Sequence, residues 1–292
     1  MLHGLAVPMK FHTAMTPIFW LIRTGDKNMA QGRWFITGVS SGIGRALAAT
    51  LLQRGARVAG TVRRDQDRAA FEALAPGRAR SFRLDVADAA AVPGIVQAVL
   101  EEFGQVDVAV NNAGQNLWGA IEETGIEEAR LLFDTNVFGP MAVMHAFLPH
   151  FRARGEGQFI NLSSGCGLVP VSGCGVYSAS KFALEALSET VANETADFGV
   201  RVMIVEPGAV ATRFISHNTA ESSLRNAAYA GLTGGGKAAM DAWYQYAVPA
   251  QDVADAILAA MASGKPPLRL AVGAGMRESA QARFSALAAA FS

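Results

Sequence analysis

A short apolar run, Arg33 to Thr37, leads straight into Gly38-Val39-Ser40-Ser41-Gly42-Ile43-Gly44, and apolar residues then recur at helical spacing from Arg45 to Arg54. A buried strand that turns through glycines into a helix is the context of a dinucleotide fingerprint. Gly38 permits the tight turn, Gly42 lets the backbone approach a pyrophosphate, and Gly44 allows the helix to pack on the sheet. The helix start offers free N–H groups and the positive end of a dipole to phosphate. Ser40, Ser41 and Ile43 complete the expected phosphate cradle.

The alternation continues along the chain. Strands are expected at 56–62, 79–86, 106–114, 157–164, 200–208 and 268–272. Helices are expected at 92–103, near Ile126–Leu148, at Ser178–Phe198 and at Gln251–Ala262. Strands alternating with helices of this length imply βαβ units and a parallel sheet covered on both faces, an α/β fold. No repeat or linker divides the sequence, so residues 29–292 read as one domain. Residues 1–28 differ in character and form a poor signal peptide; they are expected to be a disordered extension or a mis-assigned translation start, with the folded domain beginning near Met29. The irregular stretch 215–247, with "GLTGGGK" and Tyr229, Trp243, Tyr244 and Tyr246, is expected to be a lid.

Charge narrows the functions available. Lys plus Arg equals Asp plus Glu at 25 each in 292 residues. Neutrality argues against nucleic acid as a partner, because phosphate backbones need a basic surface. No run of about 18 apolar residues occurs, so no membrane span is expected. Cys166 and Cys174 are too few for a disulfide framework and show no metal-ligand spacing with the five histidines; the reading is a cytoplasmic protein with reduced thiols and no metal.

The cofactor's chemistry is read at the strand ends. Eighteen residues beyond Gly44, where an acid would select the ribose 2′-hydroxyl of NAD, stands Val62, followed by Arg63 and Arg64. No carboxylate there repels a 2′-phosphate and a guanidinium is at hand, so NADP(H) is favoured, with NAD as the alternative. Asp65 and Asp67 count slightly against it. Asp85 suits an acceptor for the adenine amine, with Val86 packing on the ring. Asn112, Ala113 and Gly114 end the fourth strand close to the cofactor.

The proton chemistry is read in "SSGCGLVPVSGCGVYSASK". Tyr177 and Lys181 are four apart on one helix face, and Ser164 lies 13 residues before Tyr177. A free tyrosine ionises at about 10, too high for a base at neutral pH. A nearby lysine and the nicotinamide's positive ring would lower that value by ~2–3 units.

Together these motifs resemble the single-domain short-chain dehydrogenases/reductases over essentially all of residues 30–292. TGxxxGxG at 37–44, NNAG at 111–114, Asn136 in "NVFG", Ser164, YxxxK at 177–181 and Pro207-Gly208 with Thr212 carry the likeness. The resemblance implies a Rossmann-like, doubly wound sheet. It implies that Ser164 binds the substrate oxygen, Tyr177 exchanges its proton, Lys181 binds the nicotinamide ribose and Asn136 holds a relay water. Pro207, Gly208, Val210 and Thr212 would line the nicotinamide, Thr212 at the carboxamide. It also implies pairing of the two long helices into a homodimer or homotetramer. "TVRR", "VEPGAVATRF" and "PPLRLAVG" look like the hydroxysteroid/retinol dehydrogenase-like branch, which suggests an apolar alcohol or carbonyl substrate. A catalytically silent NADP-binding regulator is the alternative; a sugar-nucleotide epimerase would need a larger C-terminal domain.

Overall fold

In the computed structural model, residues 31–233 and 244–291 are described. The 1–28 extension and its boundary at Met29 lie outside them, as does Trp243 of the expected lid. Seven strands form one parallel sheet: β1 Arg33–Ile36, β2 Arg57–Val62, β3 Ala79–Arg83, β4 Val108–Asn111, β5 Gly157–Leu162, β6 Val200–Pro207 and β7 Arg269–Val272. Their order is β3-β2-β1-β4-β5-β6-β7, every neighbour parallel. The order reverses between β1 and β4, and the C-terminal ends beside such a switch point leave a crevice for ligands. The chain is therefore a Rossmann-like, doubly wound α/β domain.

Side-chain alternation divides the core into two layers. Trp34, Ile36, Met203 and Val205 face one way and pack beneath helices α1 (Gly42–Gln53) and α7 (Ala250–Ala262). Phe35, Val202 and Ile204 face the other way, toward α3 (Val92–Phe103) and α5 (Gly139–Arg154). An aromatic chain runs through that second layer, with ring centroids 5.1 Å apart for Phe35–Phe147, 5.6 Å for Phe147–Phe151 and 5.0 Å for Phe151–Phe159.

Several elements differ from the sequence expectation. The helix expected near 126–148 is α4 (Ile126–Phe133), a π-helical turn at Asp134–Phe138, and α5, continuous to Arg154. By length and composition this stretch could cross a membrane, but half of its apolar window is buried inside the protein. Val143, Met144, Phe147 and Phe151 supply the second core layer, so its apolar character serves the fold. The helix expected at 178–198 starts earlier, as α6 (Gly175–Glu194), and ends in a separate 3₁₀ turn at Ala196–Phe198. Among the described residues, two helices of seven or more residues are not expected from the sequence. The first, α2 (Gln66–Glu72), buries only Phe71, and the other, α8 (Met276–Ala290), buries no residue, so neither carries an apolar period.

Candidate active site

At the C-terminal ends of the strands lies a cavity of about 700 Å³. It receives Gly38, Ser40, Ser41, Gly42 and Ile43 from the turn after β1, Arg63 after β2, and Asp85 and Val86 after β3. Asn112, Ala113 and Gly114 follow from β4, Ser164 from β5, Tyr177 and Lys181 from α6, and Pro207, Gly208, Val210 and Thr212 from the segment after β6. Of the residues singled out in the sequence, Gly44 and Asn136 stand behind this lining.

The glycine turn shows why those residues are glycines. Gly38 has φ +74°, a left-handed conformation costly for any residue with a Cβ. A Cβ on Gly44 would collide with the Asn112 side chain and the Gly38 carbonyl, so α1 approaches the sheet closely at that point. Asn112 Nδ2 donates to the carbonyls of Thr37 and Gly38 at 2.8 and 2.9 Å, clamping the turn to the end of β4. Its neighbour Asn111 donates to Asn161 Oδ1 at 2.8 Å, tying β4 to β5. No side chain caps the start of α1, although Ser41 occupies the N-cap. The open helix start therefore faces the cavity as an anion-binding end.

Beyond β2, Val62 is only 2% exposed and belongs to the core, whereas Arg63 is exposed at the cavity rim. Among the described residues no carboxylate pairs with Arg63: Asp67 is held by Arg64 at 2.9 Å, and Asp65 lies nearest Arg83 and Arg68 at 3.6 and 3.9 Å. The two acids that counted against a phosphate site are thus engaged elsewhere. Asp85 accepts from the Ala87 amide at 3.1 Å.

At the other end Tyr177 is 7% exposed and Lys181 5%. Burial holds the Tyr177 phenol above its ordinary value, with Cys166 adding to the effect and the Ser164 hydroxyl opposing it. In the chain without cofactor, burial therefore sets the direction and Lys181 does not reverse it; the expected lowering counts the positive nicotinamide ring as well. Lys181 Nζ donates to the Leu162 carbonyl at 2.7 Å, and burial brings its own value down to about 8 against the pull of Glu185 and Cys166. Losing water costs a buried charge more than one distant partner returns. Ser164 Oγ accepts from the Cys166 amide at 3.2 Å, fixing the turn after β5.

Asn136 is fully buried on the π-helical turn. Its side chain accepts from the Gln115 amide at 2.9 Å and donates to the Gln115 carbonyl at 2.9 Å and Ser180 Oγ at 3.0 Å. A Cβ on Gly114 would lie 3.4 Å from Asn136 Oδ1 and 3.7 Å from Lys181 Nζ, so Asn136 and Lys181 converge at that residue.

The expected lid is partly a wall. Thr219–Glu221 pairs with Asn116–Trp118, and Glu123 accepts from the Asn226 amide and Thr233 Oγ1 at 3.1 and 3.2 Å. Of its aromatics Tyr244 lines the cavity, while Tyr229 turns away to donate to Glu122 at 2.8 Å and Tyr246 is 71% exposed. Facing it, Val169, Val171 and Cys174 form the opposite wall. Trp118, Phe214, Met276 and Ser279 also line the cavity. Sequence reasoning missed them because they come from short or exposed elements without a period. It also missed Arg269, which pairs with Glu185, Glu189 and Glu206, although Glu185 stands one turn beyond Lys181.

Comparison with known proteins agrees with this arrangement. The family profile described as short chain dehydrogenase matches residues 33–223. A 3-ketodihydrosphingosine reductase of Bacteroides thetaiotaomicron is 37% identical over 67% of this chain and 70% of its own. Human retinol dehydrogenase 8 is 34% identical over 80% of this chain and 79% of its own. Among solved structures, a short-chain dehydrogenase from Streptomyces avermitilis superposes with TM-score 0.82 at 40% identity, covering 88% of this chain and 94% of that one. A Burkholderia phymatum member in complex with NAD (TM-score 0.76, 25% identity, 86% and 92% covered) and a metagenomic member in complex with NADP (0.66, 29%, 84% and 98%) share the fold. The chain belongs to the short-chain dehydrogenase/reductase family of oxidoreductases.

Proposed function

We infer that this chain transfers a hydride between NADP(H) and an apolar alcohol or carbonyl compound, with Tyr177 as the proton-transfer residue. One observation carries the reading: Ser164, Tyr177 and Lys181 line the same cavity as the glycine turn and the open start of α1. The residues present fit a dinucleotide, since the Gly38 and Gly44 positions admit no Cβ without strain or collision and the turn is clamped by Asn112. When bound, the nicotinamide supplies or accepts the hydride. Arg63, at the rim and without a carboxylate partner among the described residues, favours the 2′-phosphate of NADP(H) over the hydroxyl of NAD.

Ser164 holds the substrate oxygen. Burial keeps Tyr177 a neutral phenol, the form that donates a proton to that oxygen in the reductive direction. The reverse direction needs the phenolate, and the positive ring of the oxidised cofactor would help to form it. Lys181, which lines the same cavity, would hold the ribose of the bound cofactor. Asn136 acts through its main chain, because its side chain is taken up by Gln115 and Ser180; the π-helical turn offsets the regular hydrogen-bond ladder there, and a relay water would bind at that main chain.

Trp118, Val169, Val171 and Phe214 make the substrate end apolar. The names of the two curated relatives, for retinol and for 3-ketodihydrosphingosine, fit such a substrate. Exposed Ile126 and Leu131 on α4, Phe138 on the π-helical turn and Met141 on α5, with Phe182 on α6, suit helix pairing in a homodimer or homotetramer. Two free thiols suit the cytoplasm.

The test is an assay of purified protein with NADPH or NADH against a panel of apolar ketones and aldehydes. The reading expects reduced cofactor to be consumed one-for-one with alcohol formed. Cofactor binding without consumption of either cofactor across the panel would favour the silent regulator instead.

A further inference from the structure

Two turns meet beside the Tyr177 end of the cavity. Gly165 follows Ser164 and Gly208 follows Pro207, and a Cβ built on Gly165 would lie 3.7 Å from the Pro207 carbonyl oxygen. The notch between them is filled by Met276. A Cβ on Gly165 would collide with Met276 Cε, and one on Gly208 would lie 3.0 Å from Sδ and 3.2 Å from Cγ. Met276 is the first residue of α8, launched from Gly273 and Gly275, whose φ angles are +114° and +72°. Ser279, one turn on, lines the same cavity. The helix beyond this turn is largely exposed and buries no residue. Its contribution to the site is therefore its first turn.

From this placement we propose that Met276 is a specificity-determining residue, setting the size of the carbonyl substituent that fits beside Ser164. The assignment rests on the reading above, in which the carbonyl oxygen sits at Ser164 and Tyr177. One substituent of that carbonyl then points toward Gly165 and meets the thioether. Methionine is unbranched and polarizable, so it closes the notch against apolar groups while yielding to those of modest size. Both glycines are needed to seat it, since a side chain at either would push it into the substrate's space.

The experiment compares methyl ketones bearing a phenyl or a naphthyl group, with wild type, Met276→Ala, Met276→Leu and Met276→Trp. The readout is the ratio of kcat/KM for the naphthyl over the phenyl ketone, which a merely structural role would leave unchanged. A methylene's worth of space in an apolar pocket changes discrimination by about tenfold or more. Met276→Ala is expected to raise the ratio by at least roughly that factor. Met276→Trp should lower it, and Met276→Leu, close in volume, should stay near wild type. If Met276→Ala does not fold, the opposing shift in Met276→Trp still decides. Wild-type turnover with ratios that do not move in the variants overturns the role of Met276 alone. No reduction of either ketone by wild type overturns the reading on which it rests.

Discussion

The Lys181 ammonium lies 5.8 Å from the centroid of the Tyr177 ring, one helical turn along the same face of α6. At that separation it does not overcome the burial that keeps the phenol protonated. Its own ionisation, brought down to about 8, falls within the working range of an enzyme. kcat/KM for NADPH reports ionisations of the free protein. It is expected to fall as pH rises through about 8, when the cation that would face the ribose and phosphates is lost. Lys181→Arg, which keeps its charge, should remove that limb at lower overall activity. A flat profile from pH 7 to 9 in wild type would show that Lys181 takes no part in cofactor capture.

Cofactor choice is expected to follow Arg63. A 2′-phosphate beside a partly exposed guanidinium gains ~1–3 kcal/mol, roughly a 5- to 150-fold preference for NADPH. Arg63→Ala should narrow that preference mainly through KM for NADPH, and Arg63→Asp should reverse it. Placing an acid at Val62 is a poorer test, because that side chain is in the core and an unpaired carboxylate there would cost the fold itself. The measurement is kcat/KM for both cofactors with one carbonyl substrate at fixed ionic strength, since the contact is screened by salt. Equal values in wild type would contradict the assignment.

The Arg269 cluster gives stability a pH dependence. Burial raises the Glu185 carboxyl to about 7; the Glu206 charge adds to this, and Ser163 and Arg269 oppose it. Its unfolded value is about 4.3. The folded chain therefore holds a proton more firmly than the unfolded one. That stabilisation is complete below the unfolded value and is lost as pH rises through about 7. Glu185→Gln cannot lose it. Relative to wild type the variant should gain on the order of 3 kcal/mol between pH 4 and 8. Parallel stability curves in urea at the two pH values would show that Glu185 stays ionised throughout.

How much of this was legible in the sequence depends on range. Gly38 to Gly44 and the Tyr177–Lys181 pair are local patterns, and the strands around them show as apolar runs, so the sheet and the cavity lining could be read directly. Val62 reads from the sequence as the cofactor-selecting position and Arg63 as its neighbour; the fold buries the Val62 side chain and leaves Arg63 exposed at the rim. The side-chain partners of Asn136 come from Gln115 and Ser180, distant in sequence, and the π-helical turn that carries it has no signature. Met276 enters the cavity only because two glycines from other strands leave it room. The Tyr177 expectation counted the lysine and omitted desolvation, a property of the packed fold.

The central claim is that Tyr177 moves the proton. Tyr177→Phe removes one hydroxyl from a buried ring and leaves the glycine turn and Arg63 untouched. Cofactor binding, followed by the fluorescence of bound NADPH, should stay close to wild type. Turnover with a ketone that wild type reduces should fall by about 10²- to 10⁴-fold, the range that general acid catalysis supplies. A folded Tyr177→Phe protein that reduces the ketone at near wild-type rate would contradict the account.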